Sequence, residues 1–153
     1  MDADLQKLKT MQYYFGEFVE RFNEFWATFQ NVISMETSRF LGNVLQLDPG
    51  KKSKTAMHFR YFHVDFVLSY RMIALNEHYR CMMILERIGD DERKEYITHC
   101  FFDHEGNIYF SLEATASKTT VASERFILNM LSDLAERMVA SNTAKAKELE
   151  GTV

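Results

Sequence analysis

Apolar residues between Leu8 and Val32 recur at alternating steps of three and four: Leu8, Met11, Phe15, Phe18, Phe22, Phe25, Phe29 and Val32. That is the period of one helix face. Val19, Trp26 and Ile33 occupy the adjoining positions and widen the stripe to a full core-facing side, while Glu17, Glu20, Arg21 and Glu24 lie opposite. Asp2 or Asp4 is placed to cap the start. Beyond Val32 the repeat fails, because Glu36 and Arg39 fall on the seam, so a kink or break is predicted near Met35 to Ser38. Phe40, Leu41, Val44, Leu45 and Leu47 then read as a second, short helical face, ended by Asp48-Pro49-Gly50.

After the polar, basic loop Lys51-Lys52-Ser53-Lys54 the period changes to two. Phe62, Val64, Phe66, Leu68, Tyr70 and Met72 alternate with His63, Asp65, Val67, Ser69 and Arg71, which predicts a strand. Asn76-Glu77 reads as a tight turn into a strand over Tyr79 to Ile88; that turn sets Leu68 opposite Leu85, Tyr70 opposite Met83 and Met72 opposite Cys81. A charged turn, Gly89 to Arg93, leads to a third strand, Glu95 to Phe102. Asp103 to Asn107 is a hairpin loop in which Gly106 or Asn107 supplies the positive φ, and Ile108 to about Ala114 is the fourth strand. Hydroxyls at Ser117, Thr119 and Thr120 are placed to cap a last helix, whose stripe is Phe126, Ile127, Met130, Leu131, Leu134 and Met138. The tail after about residue 141 lacks large apolar side chains and is expected to fray. The expected fold is α+β in one domain over 1–153: a long N-terminal helix broken near 35–38, a four-stranded antiparallel meander and a C-terminal helix.

The first helix poses a geometric problem. Thirty residues at about 1.5 Å each span about 45 Å, whereas a compact chain of this size is roughly 40 Å across. One small sheet is not expected to cover the whole stripe. A second copy of the chain is therefore the expected partner, with Phe15, Phe18, Phe22, Phe25, Trp26 and Phe29 as candidate interface residues. Aromatic seam positions argue against a regular two-stranded coiled coil.

Composition narrows the setting. The 153 residues are 46% hydrophobic and 26% charged, which is ordinary for a globular chain. One Pro, six Gly and 13 Phe favour long elements and aromatic contacts. A net charge of -4 argues against a general affinity for nucleic acid or anionic membranes. No apolar run approaches a membrane span, the acidic start is unlike a signal peptide, and two thiols, Cys81 and Cys100, make no disulfide framework. The expected location is cytoplasmic.

Candidate chemistry is sparse. His63 and Asp65 share a face of the expected first strand, as a base and its orienting carboxylate would, and form a candidate small-ligand or enzymatic site. His99, Cys100, Asp103 and His104 have the composition of metal ligands without the spacing, so no metal is expected. Phosphate-binding and nucleophile-elbow motifs are absent, and no cofactor is expected. Lys51, Lys52, Lys54 and Arg60, interleaved with Phe59, Tyr61 and Phe62, form a candidate nucleic-acid patch. In size, charge and element mix the chain resembles small secretion chaperones and toxin-immunity proteins, although the uninterrupted run of strands departs from the former. The expected function is a non-enzymatic, homodimeric protein-binding module (adaptor, immunity or chaperone-like), with nucleic-acid binding or a site near His63 as alternatives.

Overall fold

A computed structural model describes residues 2–151. Helix α1 runs over Ala3–Ser34, its start capped by the Asp2 carboxylate, which accepts from the Asp4 N–H at 2.8 Å. It ends at the predicted break. Met35 is extended, its N–H donates to Asn31 O, and the buried Ser38 hydroxyl donates to Val32 O. A 3-10 helix, Glu36–Asn43, follows.

The sheet has six strands in sequential antiparallel order: β1 Leu45–Asp48, β2 Ala56–Tyr61, β3 Val64–Leu75, β4 His78–Ile88, β5 Lys94–Phe102 and β6 Ile108–Tyr109. It curls into a half-barrel. The expected four-strand meander is thus corrected to six. Leu45 and Leu47, read as helical, belong to β1, which pairs with β2. The strand expected to begin at Phe62 is instead two strands joined by a two-residue turn at Phe62 and His63, with φ of 49° and 63°. The signal is a slip of phase. Core positions are odd in β2 (Met57, Phe59, Tyr61) and even in β3 (Phe66, Leu68, Tyr70), as a tight hairpin requires. No Gly or Asn marks the turn; two side chains adopt the left-handed region unaided.

Elsewhere the β3–β4 register matches expectation: Leu68 faces Leu85, Tyr70 faces Met83 and Met72 faces Cys81. Gly106 supplies the positive φ of the β5–β6 hairpin at 88°. The Asp103 carboxylate organises that loop, accepting from the Glu105 and Asn107 N–H groups and from the Tyr109 hydroxyl at 2.8 Å. β6 stops after two residues rather than reaching Ala114. Helix α2, Glu124–Leu149, is capped by Ser123 and not by the earlier hydroxyls, because Thr119 and Thr120 pair with Ile108 and Asn107 beside β6. The helix continues through Leu149, with every described residue from Val139 onward exposed.

One sheet face holds the core. Phe18, Phe22, Phe25, Phe29 and Val32 of α1 are fully buried against it. Phe22 meets Tyr70 with ring centroids 4.7 Å apart, Phe29 meets Phe59 at 5.4 Å, and Phe18 meets Phe102 edge-on at 5.8 Å. Six aligned strands provide more apolar surface than four, so a single copy covers most of the stripe. α2 closes the same face through Phe126, Ile127, Leu131 and Leu134. Two hydrogen bonds tie it down: the buried Tyr61 hydroxyl donates to Leu131 O at 3.1 Å, and Arg137 donates to Ile97 O at 3.2 Å.

Candidate functional site

Two surfaces carry apolar groups that the fold leaves open. The first is the start of α1. Tyr14 rests on Tyr79 and His104, at 5.2 and 5.5 Å, and marks where contact with the sheet ends. N-terminal to it the same stripe lies in solvent: Leu5 is 59% exposed and Leu8 61%, with Phe15, just beyond Tyr14, at 39%. Of the six aromatic residues expected at an interface, Phe18, Phe22, Phe25 and Phe29 are buried in the chain's own core, and Trp26 is nearly so. Lys52 Nζ stands 5.8 Å over the Trp26 ring. Phe15 alone of the six remains exposed.

The second surface is a groove beside β5, a cavity of about 620 Å³ between that strand and α2. A bulge prepares it. Leu85 faces Thr98 but Glu86 faces Tyr96, so Ile97 is the extra residue. The bulge brings Tyr96 and His99 to one face, where the Tyr96 hydroxyl and His99 Nδ1 lie 2.5 Å apart. The groove's floor is buried and apolar, made by Leu68, Met83 and Leu85. Its rim carries Lys118 and Arg125, neither of which makes an ion pair with another described residue. Asp133, also on the rim, is held by Arg137 at 2.8 Å. The rim is therefore net positive on an acidic chain.

The other sequence candidates separate. His63 sits in the hairpin turn, exposed, and not on a strand face with Asp65. Asp65 instead pairs with Arg60 at 3.4 Å. His58 instead lies in Asp65's surroundings: its register partner across β1 is Asp48, and it shares a cavity of about 600 Å³ with Asp65. Burial holds the His58 pKa below its ordinary value, and the Lys51 and Lys94 charges lower it further against Asp48 and Asp65. Lys51 and Arg60 line that same cavity together with Asp48, Asp65, Asp90 and Glu92, so acids outnumber them there. Lys52 turns away to α1, where its ammonium donates to Asn23 Oδ1 at 2.8 Å. Lys54 is exposed, and its carbonyl accepts from the Tyr70 hydroxyl at 2.8 Å.

Neither thiol offers a nucleophile at neutral pH. Cys81 and Cys100 are buried diagonally across β4 and β5, and burial raises both pKa values, that of Cys100 to about 12. No group of three or more His, Cys, Asp or Glu among the described residues is arranged to hold a metal ion. No helix among them is long and apolar enough to cross a membrane.

The groove was not legible as a site in the sequence. Its rim residues lie in a loop and on the solvent side of a helix start, and nothing in the residues after Tyr109 marks where strand pairing stops. Family models, curated proteins and solved structures give no match to this chain.

Proposed function

We propose that the chain is a non-enzymatic protein-binding module that acts as a homodimer, joined through the first turns of α1. One observation carries this reading: the apolar stripe continues, in phase, for two turns beyond the sheet that covers the rest of it. Solvated helix ends ordinarily turn polar, and an apolar stripe left in water is the signature of a surface that meets another. Two such segments crossing antiparallel about Thr10 set Leu5 of one copy against Phe15 of the other, with Leu8 and Met11 between. An isologous contact of this kind closes on itself and stops at two.

The magnitude sets the expected affinity. A wholly buried Leu or Phe contributes about 2 kcal/mol. Leu5, Leu8 and Phe15, about half exposed, thus offer about 3 kcal/mol per copy, or about 6 kcal/mol for a symmetric pair. Association itself costs about 4 to 15 kcal/mol. The apolar contact alone is therefore marginal, and a dimer that dissociates in the micromolar range, about 8 kcal/mol net, requires polar contacts flanking the stripe to supply the remainder. Light scattering across a dilution series from about 100 to about 1 μM tests this. The reading requires a mass that falls from twice 18.0 kDa toward one chain. A single-chain mass throughout would end it.

A further inference from the structure

We propose that the groove between β5 and α2 receives an extended peptide segment of alternating acidic and apolar residues, which adds a short strand beside His99. This rests on the protein-binding half of the reading above and is independent of the dimer.

The first support is the strand edge. Backbone groups of successive strand residues point to opposite sides, so every second residue faces the same neighbour. The Asp103 N–H donates to Asn107 O, and Phe101 is matched with Tyr109, both toward β6. The Ile97 carbonyl points to the same edge and accepts from Arg137. His99, beyond the bulge and two residues before Phe101, keeps the alternation of Phe101 and Asp103, so its N–H and C=O turn to that edge too. β6 has already ended there; its two residues reach only Phe101 and Phe102. Three consecutive residues, Thr98, His99 and Cys100, line the groove. Side chains of consecutive strand residues cannot all point one way, so the groove is bounded by the edge of the backbone itself. An open edge is a template for an added strand.

The second support is the depth beside that edge. A strand laid along β5 would direct alternate side chains to the core side, where Leu68, Met83 and Leu85 form an apolar floor. Phe110, 66% exposed and lining the groove, gives such a side chain an aromatic wall. The third support is charge. Lys118 and Arg125 flank the groove without acidic partners among the described residues, whereas the chain as a whole carries -4. A segment bearing carboxylates is complementary to this rim and is repelled by most of the remaining surface, which guides it to one place. A helical partner would satisfy its own backbone and make no use of the edge.

Fluorescence anisotropy at low ionic strength tests this with a labelled, C-terminally amidated hexapeptide, Glu-Val-Glu-Leu-Glu-Val. Three comparators accompany it: the Lys-Val-Lys-Leu-Lys-Val peptide, the acidic peptide N-methylated at every residue but the first, and dodecanoate. Saturable binding of the acidic peptide is expected, at least about ten-fold tighter than either peptide comparator. Lys118→Ala with Arg125→Ala should weaken it about five-fold, and Met130→Trp, which narrows the groove from α2, should weaken it further. Circular dichroism confirms that the variants fold, and the His99 amide resonance of the unaltered protein should shift on titration. Equal binding of acidic and basic peptides, unchanged binding after N-methylation, no binding at about 1 mM, or saturable binding of dodecanoate alone would each overturn the proposal. Leu8→Glu leaves peptide binding intact, so a failed dimer and a failed groove are told apart.

Discussion

The two ends of α1 carry one apolar repeat, yet they live in different environments. From Phe18 to Val32 the stripe is buried to the last atom against β2, β3, β4 and β5; from Leu5 to Phe15 it stands largely in water. Periodicity is blind to this difference. A 3-4 repeat reports that a face is apolar, not which surface covers it. What decides is the area of sheet available, and the sheet reaches only as far as Tyr14.

The sharpest way to separate the two ends is to truncate one aromatic residue in each. Phe22→Ala removes a wholly buried ring packed on Tyr70 and should lower the unfolding free energy by about 4 kcal/mol. Phe15→Ala, measured by urea unfolding at a concentration where the chain is monomeric, should change it by less than about 1 kcal/mol. Similar losses at both sites would mean that the overhang is covered within one chain.

A smaller effect probes where the buried half begins. Gly106 holds φ at 88° beneath α1, and a Cβ there would stand 3.1 Å from Val121 Cγ2 and 3.3 Å from Arg21 Cδ. Gly106→Ala combines a left-handed backbone with that crowding and should destabilise the fold by about 2 kcal/mol. An unchanged unfolding midpoint would show that the hairpin does not press on the helix as described.

The core half should also respond to alkaline pH. The folded-state pKa of Cys100 is raised by burial from 9.0 to about 12, so its contribution is full below pH 9 and is lost as pH rises toward 12. Stability should fall above pH 9 by up to about 1.4 kcal/mol per pH unit for this group. Cys100→Ala should flatten that slope, leaving the part due to Cys81 and, above pH 10, to Tyr61, Tyr70 and Tyr109, whose pKa values burial also raises. An identical slope in the variant would place the thiol in a wetter environment than the core.

These contrasts follow what the residues disclosed and what they concealed. Helix α1, its break at Met35, the β3–β4 register and the Gly106 turn were all legible, because each rests on local periodicity or on a residue with a special backbone preference. The Phe62–His63 turn was not, since it holds no Gly or Asn and Phe62 disfavours a positive φ; only the shift from odd to even core positions betrays it. β1 was hidden for a related reason: four residues are too few to tell a strand's period from a helix's. The groove beside β5 depends on where β6 stops, and no residue after Tyr109 carries a local signal for that end.

The proposed dimer is the claim on which the functional reading most depends. Sedimentation of the unaltered chain and of the Leu8→Glu, Phe15→Glu double variant, both at about 100 μM, tests it most directly. Both side chains are exposed, so the variant should keep its fold and unfolding midpoint. The account predicts twice 18.0 kDa for the unaltered chain and 18.0 kDa for the folded variant. A folded variant that remains dimeric, or an unaltered chain that is already a monomer, would contradict it.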